Sequence, residues 1–261
     1  MHGEIPTCIL ITIKSKLEIE KMRRAGRIVY EALCLMRQHA QVGITTAEIN
    51  EIAERHIRKC GAIPSFKGYN GFPASVCISV NEEVIHGIPQ KRKLIDGDIV
   101  SVDVGAIVDG YHGDAARTFA IGNVSDEAKR LISATKQSFF EAFAVMREGY
   151  RISDISLAVQ NHVESAGFSV VRAYCGHGIG KSLHETPEIP NYVDSEKKNG
   201  GSTRLYAGMT LAVEPMVNAG TCEILVRPDK WTVVTRDGAL SAHYENTVLI
   251  TKGEPIILTK A

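Results

Sequence analysis

The chain has 261 residues, enough to bury a sizeable core as one large domain or two small ones. Its 30 basic and 30 acidic residues balance without a dense Lys/Arg cluster, which speaks against a broad basic face for nucleic acid or anionic membrane. No apolar run approaches the roughly 20 residues of a membrane-spanning helix, and "CILITIK" near the start is too short for a signal-peptide core and lacks a small-residue cleavage site. Six cysteines (Cys8, Cys34, Cys60, Cys77, Cys175, Cys222) include no C-x-x-C pair, so neither a zinc knuckle nor a disulfide framework is expected. Without an export signal, reduced thiols in the cytoplasm are the expectation.

In chain order, "CILITIK" (8–14) reads as a first strand. Ser15 with Glu18 forms a capping box that opens a long helix, in which Leu17, Met22, Ala25, Val29, Ala32 and Met36 recur at helical spacing. Thr45 with Glu48 opens a second helix, which Gly61 ends. The glycine- and aromatic-rich "FKGYNGFPAS" then leads into the strand "VCISV". Two β runs follow in "DIVSVDVGAIVDGYHGDAARTFAIG", around a turn at Asp109-Gly110. Helices are expected over roughly 126–147 and 154–166, and β structure in "FSVVRAYC", "MTLAVEPMV", "WTVVTRDG" and "SAHYENTVLI".

The chain also echoes itself. "VGITTAEINEIAERHIRKCG" (42–61) aligns without gaps on "EGYRISDISLAVQNHVESAG" (148–167), matching Gly43 with Gly149, Glu48 with Asp154, His56 with His162 and Gly61 with Gly167. In each half a longer helix precedes the segment and strands follow it. This suggests two similar α/β halves around one central site. His56 and His162 fall mid-helix and read as structural.

Four acidic residues occupy unusual places. Asp103 interrupts an apolar strand, Asp114 begins the returning strand, Glu214 ends "MTLAVEP", and Glu245 sits inside "HYENTVLI". Burying a lone carboxylate is costly, so such groups are exposed, paired or metal-bound. If the four converge, they cannot all ionise without cations, and two divalent ions would balance them. The stretch "CGHGIGKS" (175–182) comes within one residue of a phosphate-binding G-x-x-x-x-G-K-[ST] loop, because Cys175 stands at the first glycine. Pro187 and Pro190 forbid the helix such a loop needs. "HETPE" has Glu188 where a zincin helix requires histidine. What remains is a glycine loop presenting His177 and His184 to a site, with His86 in a further Gly/Pro turn.

These features, with "EIEKMRRAGRIV", "NEEVIHGIP", "DGDIVSVDVG", "DGYHGDAARTF", "VVRAYCGHGIG", "EPMVNAG" and "DGALSAHYENT", resemble the bacterial type I methionine aminopeptidases nearly end to end. The resemblance implies the pita-bread fold. This is an α/β (α+β) architecture of two pseudo-symmetric halves, with mainly antiparallel sheet flanked by helices. It also implies a single catalytic domain over 1–261 with a short N-terminal extension of about 1–8. The implied cofactors are two divalent ions (Co, Mn, Fe or Zn). Asp114 and Glu245 would bridge them, Asp103 would complete one ion's ligands, and His177 with Glu214 the other's. Glu214 would also act as general base and acid, His184 would donate to the substrate carbonyl, and His86 would contact the scissile amide nitrogen. The implied methionine pocket is Tyr69, Phe72, Cys77 and Trp231, with Phe66 and Leu183 nearby. Implied partners are nascent polypeptide N-termini at the ribosome, with no nucleic acid or membrane, for a cytoplasmic monomer.

The pattern has departures. Asn70 replaces a frequent histidine, Leu183 a frequent phenylalanine, His243 a usual glutamine and Asn246 a usual histidine. His243 lies two residues before Glu245, which puts both side chains on one strand face. That position makes it a candidate substrate-facing residue, an extra ligand, or a hydrogen-bond partner. The short N-terminal segment carries no zinc-finger extension or P-x-x-P tether. Two other readings compete: a proline-specific peptidase of the same fold, which usually has a further N-terminal domain, and a non-catalytic peptide-binding module, which would have lost ligands.

Overall fold

Two capping boxes start the first half of the chain. The Ser15 hydroxyl accepts from the Glu18 N–H while the Glu18 carboxylate accepts from the Ser15 N–H, which starts α1 (Lys16–His39). Thr45 and Glu48 repeat the exchange for α2 (Thr46–Lys59). The first-half strands are β1 (Ile63–Pro64), β2 (Val76–Val80), β3 (Glu83–Ile85), β4 (Ile99–Val108) and β5 (Tyr111–Ala120). Asp109 and Gly110 both take positive φ, as expected of a tight two-residue hairpin, and they join β4 to β5. Strand β4 is central in an antiparallel sheet, pairing with β1, β2 and β5. Ala25, Val29, Ala32 and Met36 of α1 pack with Ile49 and Ile57 of α2 over Val100, Val102 and Val104. Leu17 is not part of that face. It is 69% exposed.

The second half repeats the plan with α3 (Asp126–Phe143) and α4 (Ile152–Ser165). Its strands are β6 (Ser169–Val170), β7 (Gly176–Gly178), β8 (Glu185–Ile189), β9 (Thr210–Val213), β10 (Met216–Asn218), β11 (Ile224–Val226), β12 (Val233–Thr235), β13 (Ser241–His243), β14 (Asn246–Leu249) and β15 (Ile256–Ile257). A five-stranded antiparallel sheet runs β15-β14-β9-β7-β8, and two three-stranded sheets, β13-β10-β6 and β11-β12-β3, complete the β layer. Phe139, Ile155 and Val159 cover it with Leu211, Val213 and Val248 beneath. The internal echo is visible in the backbone. Gly43 and Gly149 have φ of 94° and 96°, and Gly61 and Gly167 have φ of 74° and 82°. The Asp154 carboxylate accepts from the Arg151 N–H as Glu48 does from Thr45. The two-halves expectation of the pita-bread fold is met.

The computed structural model describes residues 11–193 and 203–261. The expected extension at about 1–8 and the start of "CILITIK" lie outside them. The rest of that expected strand is not one: Ile11 to Lys14 join no sheet. The Lys14 N–H reaches the Gly208 carbonyl at 2.8 Å, and its ammonium pairs with Glu185 at 2.6 Å. "FSVVRAYC" is also mostly irregular. After Val171 the chain leaves the sheet, and Tyr174 lies edge-on to His86. The expected helix over 126–147 stops at Phe143, where single i→i+3 turns take over. No helix among the described residues is long and apolar enough to cross a membrane.

Candidate active site

Asp103 lies on β4 and Asp114 on β5. Their registers, Asp103 opposite Ala116 and Asp114 opposite Gly105, place them diagonally on one sheet face. His177 is in the middle of β7, opposite Ala212 of β9. Glu214 occupies the break between β9 and β10, and Glu245 the break between β13 and β14. Both halves therefore contribute. Asp114, His177 and Glu245 each place one donor atom within 4.8 Å of the others, and His177 Nε2 is 3.5 Å from Glu214 Oε1.

Backbone links hold the halves in register at this point. The Asp114 N–H donates to Thr247 Oγ1, and that hydroxyl donates to the Asp114 carbonyl, both at 2.9 Å. The Glu245 N–H reaches the Ala116 carbonyl at 3.0 Å. Arg117, which sequence reasoning passed over, donates to the carbonyls of Ala116 and Glu245 and to Asn246 Oδ1. Its only sequence signal was a cation inside a β run beside the acidic pair. Asn246 also accepts from Thr259 at 3.0 Å, so this departure has a scaffold role on the side of the strand away from the ligands. Asn191, likewise passed over, donates to the Glu214 carbonyl at 3.0 Å.

Asp103 Oδ1 and Asp114 Oδ1 are buried without a hydrogen-bond partner. Burial pushes Asp103 up to about 7 and Glu214 up to about 8. Asp114 and Glu245 rise well above the carboxylate range, first from burial and then from the neighbouring acids. The His177 Nδ1–H donates to the Gly178 carbonyl at 2.9 Å, which leaves the Nε2 lone pair as a ligand. Burial, then His184, holds His177 neutral, with its pKa down at about 3. Crowded carboxylates that cannot ionise alone, with orphaned oxygens and one imidazole lone pair, are the donor set of a divalent-cation centre. The residues fit the expected cofactor.

A cavity of about 180 Å³ opens onto this cluster. Phe66, Tyr69, Asn70, Phe72, Cys77, Leu183 and Trp231 line it, together with His86, His184 and all five candidate ligands. Phe72 meets Trp231 edge-on at 5.1 Å. Burial lowers His86 to about 4, and His86 sits at φ 57°, a conformation costly for a non-glycine residue. Tyr69 Oη lies 2.7 Å from His184 Nδ1, and the His184 and His177 rings are 4.2 Å apart.

His243 does not line this cavity. It is fully buried behind Glu214, with its Nε2 3.5 Å from Glu214 Oε2. β13 ends at His243 and Glu245 lies in the break before β14, so the alternation that would put the two on one face is interrupted, and the His243 N–H donates to Thr118 Oγ1 of β5. A larger cleft of about 560 Å³ lies behind it, lined by Arg37, Arg117, Lys129 and Lys136, away from the carboxylates.

The glycine loop is not a phosphate cradle. Glu185–Ile189 is strand, not helix. A Cβ at Gly176 or Gly178 would stand 2.4 or 2.3 Å from a neighbouring strand's carbonyl oxygen, so the glycines serve close strand packing. Lys181 lies over the Tyr111 ring, 5.9 Å from its centroid, at the outer surface. Lys181→Ala is expected to leave the activity of the carboxylate–histidine site near wild type and calorimetry to show no ATP binding. Abolished activity would return the loop to phosphate chemistry.

Residues 20–252 match the model of metallopeptidase family M24. The chain belongs to that family, in its methionine aminopeptidase branch. Methionine aminopeptidase of Clostridium acetobutylicum is 55% identical, over 96% of this chain and 99% of its own. Methionine aminopeptidase 1 of Bacillus subtilis is 50% identical, over 96% and 100%. The crystal structure of methionine aminopeptidase from Thermotoga maritima superposes with TM-score 0.93 at 44% identity, covering 97% of this chain and 100% of that one. These M24 relatives match this chain over nearly their whole length, so the likeness takes in both halves and the cluster between them.

Proposed function

We infer that Asp103, Asp114, His177, Glu214 and Glu245 hold two divalent cations (Co, Mn, Fe or Zn) and that His86 and His184 act on a bound N-terminal methionine. The chain is a metal-dependent methionyl aminopeptidase that removes the initiator methionine from polypeptide N-termini. The observation that supports the site assignment is the convergence of these donors, orphaned oxygens included, under one aromatic and sulfur-lined cavity. Neither rival reading is favoured at this level of identity to methionine aminopeptidases.

When bound, the cations supply the positive charge that lets the carboxylates ionise and that polarises water and the scissile carbonyl. The protein's own groups do the rest. Glu214, ionised once the cations are bound, accepts a proton from the attacking water and returns it to the leaving amine. A Tyr69 hydroxyl donating to His184 Nδ1 leaves the His184 Nε2–H as donor to the developing oxyanion. His86, kept neutral by burial, contacts the scissile amide nitrogen. Tyr69, Phe72, Cys77 and Trp231, with Phe66 and Leu183, offer a polarizable wall to a thioether. His243 positions the Glu214 carboxylate from behind, in place of the substrate-facing role that strand alternation suggested. We further propose that the chain works as one catalytic domain, as a cytoplasmic monomer, on chains emerging from the ribosome, and binds no nucleic acid itself.

Substrate choice tests this. Met-Ala-Ser is expected to lose its methionine, while Met-His-Gly and an X-Pro peptide are left intact. Cleavage of the X-Pro peptide with Met-Ala-Ser untouched would favour the proline-specific reading, and cleavage of neither the non-catalytic one.

A further inference from the structure

Outside the active site, helices α1 and α2 bring Glu31, His56 and Cys60 together. Cys60 caps the C-terminus of α2 four residues after His56, which puts their side chains on one side of the helix end, and Glu31 meets them from α1. His56 Nε2 lies 3.6 Å from Cys60 Sγ and 3.2 Å from Glu31 Oε2. One donor atom from each of the three lies within 4.8 Å of the others.

In a neutral imidazole, Nε2 has either one hydrogen or one lone pair, so it donates to Glu31 or accepts from the Cys60 thiol, one at a time. A single cation serves all three at once, through the Nε2 lone pair, the thiolate and the carboxylate. The spacing fits. Tetrahedral bonds of about 2.0 Å to nitrogen and oxygen and about 2.3 Å to sulfur place N and O about 3.3 Å apart, and N and S about 3.5 Å apart. The fold does not itself require the cluster, because the repeat copy of α2 keeps His162 but has Ala166 where Cys60 stands.

We propose that Glu31, His56 and Cys60 form a metal site outside the active site, binding one Zn²⁺-class ion with its fourth position open to solvent. A nitrogen, sulfur and oxygen set suits borderline ions such as Zn²⁺ and Co²⁺, unlike the oxygen-rich cluster at the centre of the molecule. Cys60 is exposed, which gives the ion an entry path. Arg27 approaches only the other Glu31 oxygen, Oε1, at 3.3 Å, and leaves Oε2 to the site. Coordination takes the Cys60 thiol as thiolate, so binding expels a proton and strengthens with pH. The ion ties α1 to α2 on the outer face of the first half.

Cobalt(II) added to the full-length protein is the probe. None of the active-site ligands assigned above is a thiolate, so a cobalt–thiolate charge-transfer band in the near ultraviolet reports this site. The band is expected in the wild type and in Asp114→Asn, is absent in Cys60→Ser and in His56→Ala, and disappears when Zn²⁺ displaces the cobalt. A wild-type spectrum without the band, a band that survives Cys60→Ser, or a band lost in Asp114→Asn overturns the proposal.

Discussion

Asp114→Asn is expected to lose divalent metal and turnover together, by more than the roughly 10–100-fold that loss of a residue merely supporting a ligand costs. Asp114 sits within 4.8 Å of both His177 and Glu245 through their donor atoms, so its carboxylate is where the two halves share charge. The metal-free protein shows the other side of the same physics. Above pH 6.5 the unfolded chain has ionised carboxyls and neutral histidines, while native Asp103 and Glu214 hold protons up to about 7 and 8. The native state then binds more protons than the unfolded one, so metal-free stability falls as pH rises from about 6.5 toward 8. Between about pH 4 and 6.5 the buried histidines act oppositely. His86 and His243, lowered by burial to about 4, gain protons on unfolding, and their contribution offsets the fall that the raised carboxylates already cause in that window. Asp114→Asn removes one group that holds its proton in the native state and loses it on unfolding, so its metal-free form should lose less stability between pH 6.5 and 8 than the wild type. Metal analysis, kinetics on Met-Ala-Ser, and denaturation at the two pH values check each part. Metal content and kcat at wild-type levels would remove Asp114 from the centre.

His184→Ala is expected to fail differently. None of the five proposed ligands changes, so metal content is expected to stay at the wild-type level. The loss falls on kcat, because a donor to the carbonyl oxygen acts most strongly once negative charge has built there. Removing one such donor costs on the order of 3 kcal/mol, roughly a hundredfold or more in rate. Tyr69→Phe removes the 2.7 Å contact to Nδ1 and is expected to give a smaller loss of the same kind, since only the tautomer and ring orientation loosen. An unchanged kcat in His184→Ala would take that histidine out of the reaction, and lost metal would make it a ligand instead.

Much of this was legible locally. The capping boxes at Ser15 and Thr45 and the Asp109-Gly110 turn are short-range devices whose signals lie within four residues, and each appears where the sequence put it. The carboxylates stood out because charge inside an apolar β run is costly. Less legible was whatever depends on partners far along the chain. Nothing near Arg117 announces that it anchors the Glu245 carbonyl, 128 residues away. Periodicity placed Leu17 on the buried face of α1, but whether a residue is covered depends on what packs against it from elsewhere in the chain, and Leu17 is left exposed. The β-like composition of "CILITIK" carried no information about a pairing strand, and Ile11 to Lys14 have none. For His243, strand alternation suggested nearness to the carboxylates but not its place outside the cavity, because the strand breaks at Tyr244 and Glu245, where the backbone bonds to β5.

The central claim is that this carboxylate–histidine cluster removes methionine only when it holds divalent cations. The direct measurement strips the full-length protein with chelator and titrates Mn, Fe, Co or Zn against hydrolysis of Met-Ala-Ser, with bound metal counted in parallel. The expected result is no turnover in the stripped protein, and recovery that follows occupancy of the Asp103, Asp114, His177, Glu214 and Glu245 centre. Full turnover in protein shown to contain no metal would contradict it.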